Sequence, residues 1–168
     1  MLAEYVEIKA GYPFRAGILA QSDGSVLAVQ MRDIQHGEIN WTGVVRTEAD
    51  PRSGADWLRN GDVLFVTKGT RYFATSLSDV PERTVSSPHL YVLRVKNPNV
   101  LLPEFLAWQI NQWPAQQYLS QAAVGTNQRS IRRDALERLY LTVPPIDQQR
   151  RIIAFAQAAA AERKALEH

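Results

Sequence analysis

The segment 125–153 concentrates side chains that can bind phosphates and nucleobases. It holds six arginines, at positions 129, 132, 133, 138, 150 and 151, and three acids, at positions 134, 137 and 147. Six minus three gives a segment charge of +3, which leaves −1 for the remainder because the whole chain carries +2. Arginine pairs well with phosphates and guanine edges, and asparagine and glutamine pair with adenine. A local basic patch on a near-neutral body indicates a polyanion partner rather than small-molecule chemistry.

The sequence lacks the common motifs for nucleotide binding and metal-dependent catalysis. The sequence has no GxxxxGK[ST] or GxGxxG loop, no HExxH spacing and no cysteine. The run Val143–Ile146 resembles the Pro-Pro motif of adenine methyltransferases, but it lacks the polar and aromatic neighbours that hold a flipped base. Metal-dependent nucleases pair Glu-x-Lys with an upstream aspartate on a neighbouring strand. Glu7 has no aspartate before it, and Glu162 lies in an alanine-rich helical segment, where it and Lys164 would point to different faces. We expect no catalytic residue, no metal and no cofactor, and keep a hydrolase or nuclease as a third hypothesis.

The elements that position the basic segment begin with strands. Turn residues and short β-prone runs predict strands at Val26–Met31, Asp62–Thr67, Tyr72–Thr75 and Leu90–Val95. The Asn60-Gly61 turn introduces the second of these, and the third is expected to pair with it across Lys68–Arg71. Strands in the first half and helices in the second predict the α+β class, as a mixed and twisted sheet with a C-terminal helix.

Helix signals follow residue 102. Pro103 fits a helix N1 position, and an apolar stripe from Phe105 to Trp113 predicts an amphipathic helix that Pro114 breaks or restarts. A second helix is expected over Ala115–Ala123. The remaining predictions are a short helix over Arg132–Arg138 capped by Ser130, a strand over Leu139–Val143, and a last helix capped by Asp147 with Ile152, Ile153, Phe155 and Ala159 on one side.

Composition sets the class of protein. The chain has 168 residues, 45% hydrophobic and 21% charged, which suits one compact domain with an appended element. It has no run of 18 apolar residues and no signal-peptide pattern at its start, so we expect a cytoplasmic protein with no membrane contact. The final residues Leu166–His168 are consistent with the start of a cloning tag.

Short motifs in a fixed order resemble one target-recognition domain of the specificity (S) subunit of type I restriction–modification systems. The matching segments are Ala10–Phe14, Val29–Ile34 with Gly37 and Ile39, Leu58–Leu64, the Gly69-Thr70 turn, Leu102–Leu106, Gly125–Ile131 with Leu136, and Pro144–Ile153. The resemblance covers nearly the whole chain. It departs from the family pattern at Gln148, where a Glu is usual, and in having one recognition domain and one helix instead of two of each.

The resemblance implies a non-catalytic subunit that reads half of a bipartite DNA site. Residues 1–145 would be the recognition domain. Residues 146–168 would form a helix that binds the methyltransferase subunit, with the restriction subunit as a further partner, or that pairs with a second copy of the chain. An orphan or decoy subunit acting through this helix alone is the alternative function.

Side-chain chemistry selects the candidate contacts. The residues expected to bind double-stranded DNA are Lys68, Thr70, Arg71 and Tyr72 around Gly69, and Thr126, Asn127, Gln128, Arg129, Arg132 and Arg133 after Gly125, with Arg32 and Gln35 as a weaker group. For Arg132 and Arg133, ion pairs with Asp134 and Glu137 stay open as an alternative. The residues expected to bind the protein partner are Gln148, Gln149, Ile152, Ile153 and Phe155. Core positions are predicted for Trp57, Phe65, Tyr91, Phe105, Trp108 and Tyr140, and exposure for Trp41.

Overall fold

The computed structural model describes residues 1–14, 17–35, 37–49 and 57–167, so residue 168 of the expected tag lies outside the described residues. In these residues the strands are β1 (Val6–Ala10), β2 (Val26–Val29), β3 (Ile34–Gln35), β4 (Glu38–Ile39), β5 (Val45–Thr47), β6 (Val63–Val66), β7 (Ala74–Ser76), β8 (Thr84–Ser86) and β9 (Leu90–Val95). The α-helices are α1 (Pro103–Ile110), α2 (Trp113–Ala122), α3 (Arg133–Glu137) and α4 (Ile146–Leu166). The predicted α+β class, with helices in the second half and a C-terminal helix, is confirmed.

A four-stranded antiparallel sheet, ordered β1-β9-β6-β7, forms the centre of the fold. All four residues of β6 are buried, because both faces of the sheet are covered. Val63 and Phe65 pack with the helices, whereas Leu64 and Val66 pack with Val29 on the other side. This two-sided burial explains why the strand reads as a continuous apolar run rather than as an alternating one.

A smaller sheet covers the second face. Its order is β5-β2-β8, with β2 antiparallel to β5 and parallel to β8. The hairpin of β3 and β4 pairs Ile34 with Ile39, and both side chains pack against the same core cluster as Val29. Trp41 also packs there and is half-buried, so the prediction that it is exposed is wrong.

A buried ion pair ties the start of β6 to β9. Both carboxylate oxygens of Asp62 accept hydrogen bonds of 2.8 Å from the Arg94 guanidinium, and the Arg59 backbone N–H donates to the same carboxylate at 2.9 Å. The Asp62 side chain is 2% exposed. Gly61 adopts φ 90°, the left-handed turn conformation that lets the chain enter β6 directly before this pair.

Amide side chains from the helices complete the edge of the sheet. Asn111 accepts from the Ala74 N–H at 2.8 Å and donates to the Ala74 carbonyl at 2.9 Å, as a neighbouring strand would. Gln116 makes the same pair of bonds with the backbone of Tyr72, at 3.2 and 3.0 Å. Because β7 is an edge strand, these bonds satisfy backbone groups that would otherwise be open to pairing with another chain.

The strand predicted over Leu139–Val143 is wrong. This segment belongs to no strand in the described structure. The Gln109 side-chain amide forms hydrogen bonds with both backbone groups of Thr142. It accepts from the N–H at 2.7 Å and donates to the carbonyl at 2.8 Å. Leu139 and Leu141 are buried, while Tyr140 is 77% exposed, which contradicts its predicted core position.

Three details of the helices also differ from the predictions. The N-cap of α3 is Arg132, because Ser130 pairs its backbone with Val124 and Lys68 instead. The N-cap of α4 is Pro145, and Asp147 lies inside the first turn, where its charge is favourable to the helix dipole. Trp113 is not part of the α1 stripe, since it begins α2 with its side chain 71% exposed. Pro103 at the start of α1 and the restart at Pro114 are confirmed.

Candidate nucleic-acid interface

Two loops distant in sequence lie side by side in the fold. The first, 68–71, follows β6, and the second, 126–129, follows α2. Ser130 forms backbone bridges to both Lys68 and Val124, and the Ile131 N–H donates to the Thr67 carbonyl at 2.9 Å. These bonds hold the two predicted DNA-binding loops against each other.

Glycines allow the tight path of each loop. Gly69 has φ 123° and Gly125 has φ 116°, both in the left-handed region that side chains disfavour. A Cβ at Gly125 would also lie 2.3 Å from the Gln128 carbonyl oxygen. Gly69 and Gly125, which both belong to the ordered motifs, therefore occupy positions where the backbone conformation favours glycine.

The two loops form the walls of a cleft of about 700 Å³. It is lined by Met31, Lys68, Gly69, Thr70, Tyr72, His89, Ser120, Thr126, Asn127, Gln128 and Arg129. Among the described residues, the lining includes the cations of Lys68 and Arg129 and no aspartate or glutamate. A cleft lined by one sign of charge attracts polyanions, and its hydroxyl and amide groups can donate to and accept from bases.

Asn127 and Gln128 differ from the structural amides of the fold. Neither side chain has a hydrogen-bond partner among the described residues, and both are exposed. By contrast, the side-chain amides of Asn111 and Gln116 form hydrogen bonds with the backbone of Ala74 and Tyr72. The amides of the cleft are therefore free to bind an external partner.

Arg129 lines the cleft and also forms hydrogen bonds within the chain. Its guanidinium donates to the carbonyls of Ser120, at 3.0 Å, and Ala123, at 3.2 Å, at the C-terminal end of α2. Basic side chains stabilise helix C-termini in this way. The same residue therefore lines the cleft and fixes the loop to the helix before it.

Three predicted cations lie outside the cleft lining. Arg71 stacks over the ring of Phe73 at 5.7 Å, and Arg132 is exposed at the start of α3. Arg133 forms an exposed ion pair with Glu137 at 3.1 Å, the alternative that the sequence left open. Tyr72 lines the cleft but is 2% exposed and packs in the main core, so its side chain supports the wall and offers little surface to DNA.

Sequence reasoning missed three cleft residues, Met31, His89 and Ser120. A recess of about 440 Å³ shares Met31 and His89 with the cleft and is also lined by Gln30 and Arg32. Arg32, from the weaker predicted group, thus lies beside the cleft, whereas Gln35 is exposed on the β3–β4 hairpin. No local pattern in the sequence could place His89 at the cleft, because its position depends on the pairing of β9 with β6, which are distant in sequence.

The residues predicted to bind a protein partner lie at the start of α4 in different environments. Phe155 is 79% exposed, and Ile152 and Ile153 are half-buried against the core. Gln149 is fully buried: it accepts from the Leu102 N–H at 2.9 Å and donates to the carbonyls of Val100 and Pro144, both at 2.8 Å. Its amide anchors α4 to the body of the chain and has no surface for a partner, which corrects its predicted role.

No group of three or more histidine, aspartate or glutamate side chains in the described ranges is placed to hold a metal ion. Of the two Glu-x-Lys pairs, Glu7 and Lys9 form an ion pair at 3.8 Å, and Lys164 pairs with Glu38 at 3.2 Å. Within the same part of the chain, no helix has the length and apolar character needed to cross a membrane.

Comparison by sequence finds no family model and no curated protein that matches the chain. Comparison by structure matches chains of type I restriction–modification systems. One is the S subunit from M. genitalium, with TM-score 0.60 and 12% identity, covering 94% of this chain and 37% of that one. Another is the HsdS subunit from Thermoanaerobacter tengcongensis, with TM-score 0.65 and 19% identity, covering 99% and 39%.

A third match comes from a study of complex assembly and conformational transition of the type I R-M system, with TM-score 0.68 and 20% identity, covering 98% of this chain and 38% of that one. This chain thus spans less than two fifths of the length of the proteins it matches. The similarity read from short sequence motifs is confirmed at the level of the fold.

Proposed function

We propose that this chain is a non-catalytic DNA-recognition module of the S-subunit type, which reads one half of a bipartite duplex site. The observation that carries the proposal is the convergence of the 68–71 and 126–129 loops on one cleft whose described lining has cations and no carboxylate. The side-chain chemistry of the sequence predicts DNA contacts in both loops, independently of their proximity in the fold. The fold shared with type I S subunits supports the same role.

Within this proposal the cleft residues divide by chemistry. Lys68 suits phosphate contact, because a flexible ammonium binds charge without reading sequence. Asn127 and Gln128 suit base reading, because a free amide donates and accepts at once and matches the N6 and N7 groups of adenine. Arg129 would contribute charge while holding its loop in place.

The proposal assigns residues 1–145 to recognition and 146–168 to docking. Helix α4 would bind the methyltransferase subunit, with the restriction subunit as a further partner, and the exposed Phe155 would be a contact. A DNA-bound complex of this kind would work in the cytoplasm.

The test begins with selection of bound duplexes from a random pool, followed by affinity measured against salt. We expect log K to fall linearly with log salt, at about −0.9 per phosphate contact. Lys68→Ala should weaken binding to every duplex similarly and reduce the slope by about one contact. Asn127→Ala should cost about 1–3 kcal/mol and relax preference at one base pair of the selected site.

Lys96→Ala is the matched control for the loss of a lysine, since Lys96 is exposed, donates to the Ala3 carbonyl and is not part of the cleft lining. It should leave both affinity and slope unchanged. Absence of salt-sensitive duplex binding, alone and with a methyltransferase partner, would contradict the proposal.

The exposed Phe155 favours the second candidate, a protein-interaction module that acts through α4 without reading DNA. The two functions separate in one comparison. If Asn127→Ala combined with Gln128→Ala removes duplex selectivity but keeps partner binding, recognition and docking are separate activities. If the wild-type chain binds its partner and selects no duplex, the second function holds.

A further inference from the structure

The recess of about 440 Å³ beside the DNA cleft lies where two parallel strands end together. Residues 30–32 of its lining follow β2 directly, and residues 87–89 follow β8. Because β2 and β8 are parallel, with Val29 opposite Ser86, both chains leave the small sheet at the same edge. Chains that diverge from the carboxyl ends of neighbouring parallel strands leave a crevice between them, which is a common position for ligands.

Apolar side chains and one buried amide line this recess. Phe14, Ile18 and Met31 are half-buried lining residues. The Nε2 atom of Gln30 is buried, yet it has no hydrogen-bond partner among the described residues. A buried donor without an acceptor is destabilising, so a ligand that brings an acceptor to Gln30 removes this cost.

Backbone hydrogen bonds fix both walls of the recess. The Asp33 carboxylate accepts from the Gln30 N–H at 2.8 Å, and the Asp33 N–H donates to the Gln30 carbonyl at 3.0 Å. From the other wall, the Ser87 N–H donates to the Val29 carbonyl at 2.8 Å. The recess is therefore formed before any ligand binds.

Arg32 and His89 give the recess a preference for anions. Both residues are exposed, and neither side chain forms a hydrogen bond or ion pair with a described residue. The described lining includes no aspartate or glutamate. Asp33, the neighbour of Arg32, is 4% exposed and bonds to the Gln30 backbone instead. A guanidinium and an imidazole without internal partners suit a phosphate group.

We propose that the recess is a subsite for one unpaired nucleotide. An unpaired base has apolar faces that pack on Phe14, Ile18 and Met31, and its edge carries an acceptor for Gln30 Nε2. Its phosphate meets Arg32 and His89 at the exposed side of the recess. A paired base stays stacked in the duplex and does not reach such a pocket, so the subsite adds a preference for DNA with an unpaired nucleotide.

The inference rests on the proposed DNA recognition, because the recess shares Met31 and His89 with the cleft. The unpaired nucleotide therefore lies directly beside the paired half-site. A DNA strand and a free nucleotide carry the same groups, so the test includes both sources.

The test compares the selected duplex with copies that carry one extra unpaired nucleotide, moved position by position along each strand. We expect affinity to rise at least about fivefold at neighbouring positions on one side of the half-site, the gain from packing one base. The readout is the ratio of bulged to matched affinity, so losses common to both duplexes cancel.

Three variants test the recess through this ratio. Gln30→Met removes the amide donor and Ile18→Trp fills the space, so each should abolish the gain. His89→Ala changes an exposed side chain and should reduce the gain at least about twofold, since it removes one phosphate contact. Gln157→Met makes the same change as the first variant at an exposed amide of α4 outside the recess, and should keep the gain. Circular dichroism checks the fold of each variant.

Deoxynucleoside monophosphates at millimolar concentration identify the source of the nucleotide. A gain at bulges without monophosphate binding identifies bound DNA, whereas monophosphate binding that Gln30→Met abolishes identifies a free nucleotide. No gain at any position together with no monophosphate binding, or a gain that persists in Gln30→Met and Ile18→Trp, would overturn the inference. Salt-sensitive binding of the matched duplex would then leave the proposed function intact.

Discussion

At the residue scale, hydrogen-bond partners distinguish two groups of amide side chains. One group holds elements of the fold together, and the other is available to an external partner. Asn111, Gln116 and Gln149 each bond to backbone groups that lack other partners, and such buried or edge groups are costly to leave unpaired. Asn127 and Gln128 carry the same chemistry but have no partner in the described chain. Residue type alone does not distinguish these cases, because the distinction depends on what the fold places opposite each amide.

Gln149 gives the sharpest stability prediction. In Gln149→Glu the side chain can still accept from the Leu102 N–H, but it can no longer donate to the carbonyls of Val100 and Pro144. A buried charge then faces two carbonyl oxygens. We expect the free energy of unfolding to fall by about 3 kcal/mol or more, measured by urea denaturation at neutral pH.

Gln148→Glu is the matched control, since Gln148 is the exposed neighbour on the same turn. It introduces the same charge near the positive end of the helix dipole, where the effect on stability should be within about 0.5 kcal/mol or slightly favourable. Equal losses from both variants would show that the three bonds of Gln149 do not anchor α4.

At the element scale, the cleft depends on one short backbone connection. Ser130 exchanges hydrogen bonds with Val124, at 2.9 and 3.0 Å, and bridges to Lys68. No side chain is needed for these contacts, so the sequence carried no specific signal for them. The Gly125 turn was visible in sequence, whereas its pairing with the Gly69 loop was not.

Ser130→Pro tests this connection. Proline lacks the N–H that bonds to Val124 and restricts the backbone before it, so the two loops should separate. We expect duplex affinity to fall at least about tenfold in the selection-derived binding assay. Ser130→Ala keeps every backbone bond and should bind like the wild type; matching losses in both variants would assign the effect to the hydroxyl instead.

The elements predicted correctly from sequence are those with local signals. The strand Leu90–Val95 and the helix start at Pro103 were placed to the residue. The segment 139–143 was assigned to a strand because its apolar pattern resembles one, but Gln109 occupies the backbone groups that a ladder would use. A local pattern cannot report such a competitor, because Gln109 lies on a helix 30 residues earlier in the sequence.

At the scale of the whole molecule, the cleft and the C-terminal helix are separate parts of the fold. The described lining of the cleft includes no residue of α4, so the two proposed activities use different side chains. The ordered motifs predicted the shared fold even though identity to the solved S subunits is 12–20%. Motifs that specify turns and caps persist where the rest of the sequence diverges, but they do not specify loop side chains or the target.

The last prediction joins the cleft and α4. If two copies pair through α4 and bind one duplex, a site with an inverted pair of the selected half-sites should bind with about twice the salt slope of a single half-site. Linkage of the two clefts should also raise apparent affinity by about 10²–10⁴. Moving one half-site by about 5 base pairs turns it to the opposite side of the helix and should remove the gain. Phe155→Asp, which replaces the exposed ring of α4 with a charge and should prevent the pairing, should show the single half-site slope on every duplex. An identical slope for single and paired sites in the wild type would mean that each copy binds DNA alone.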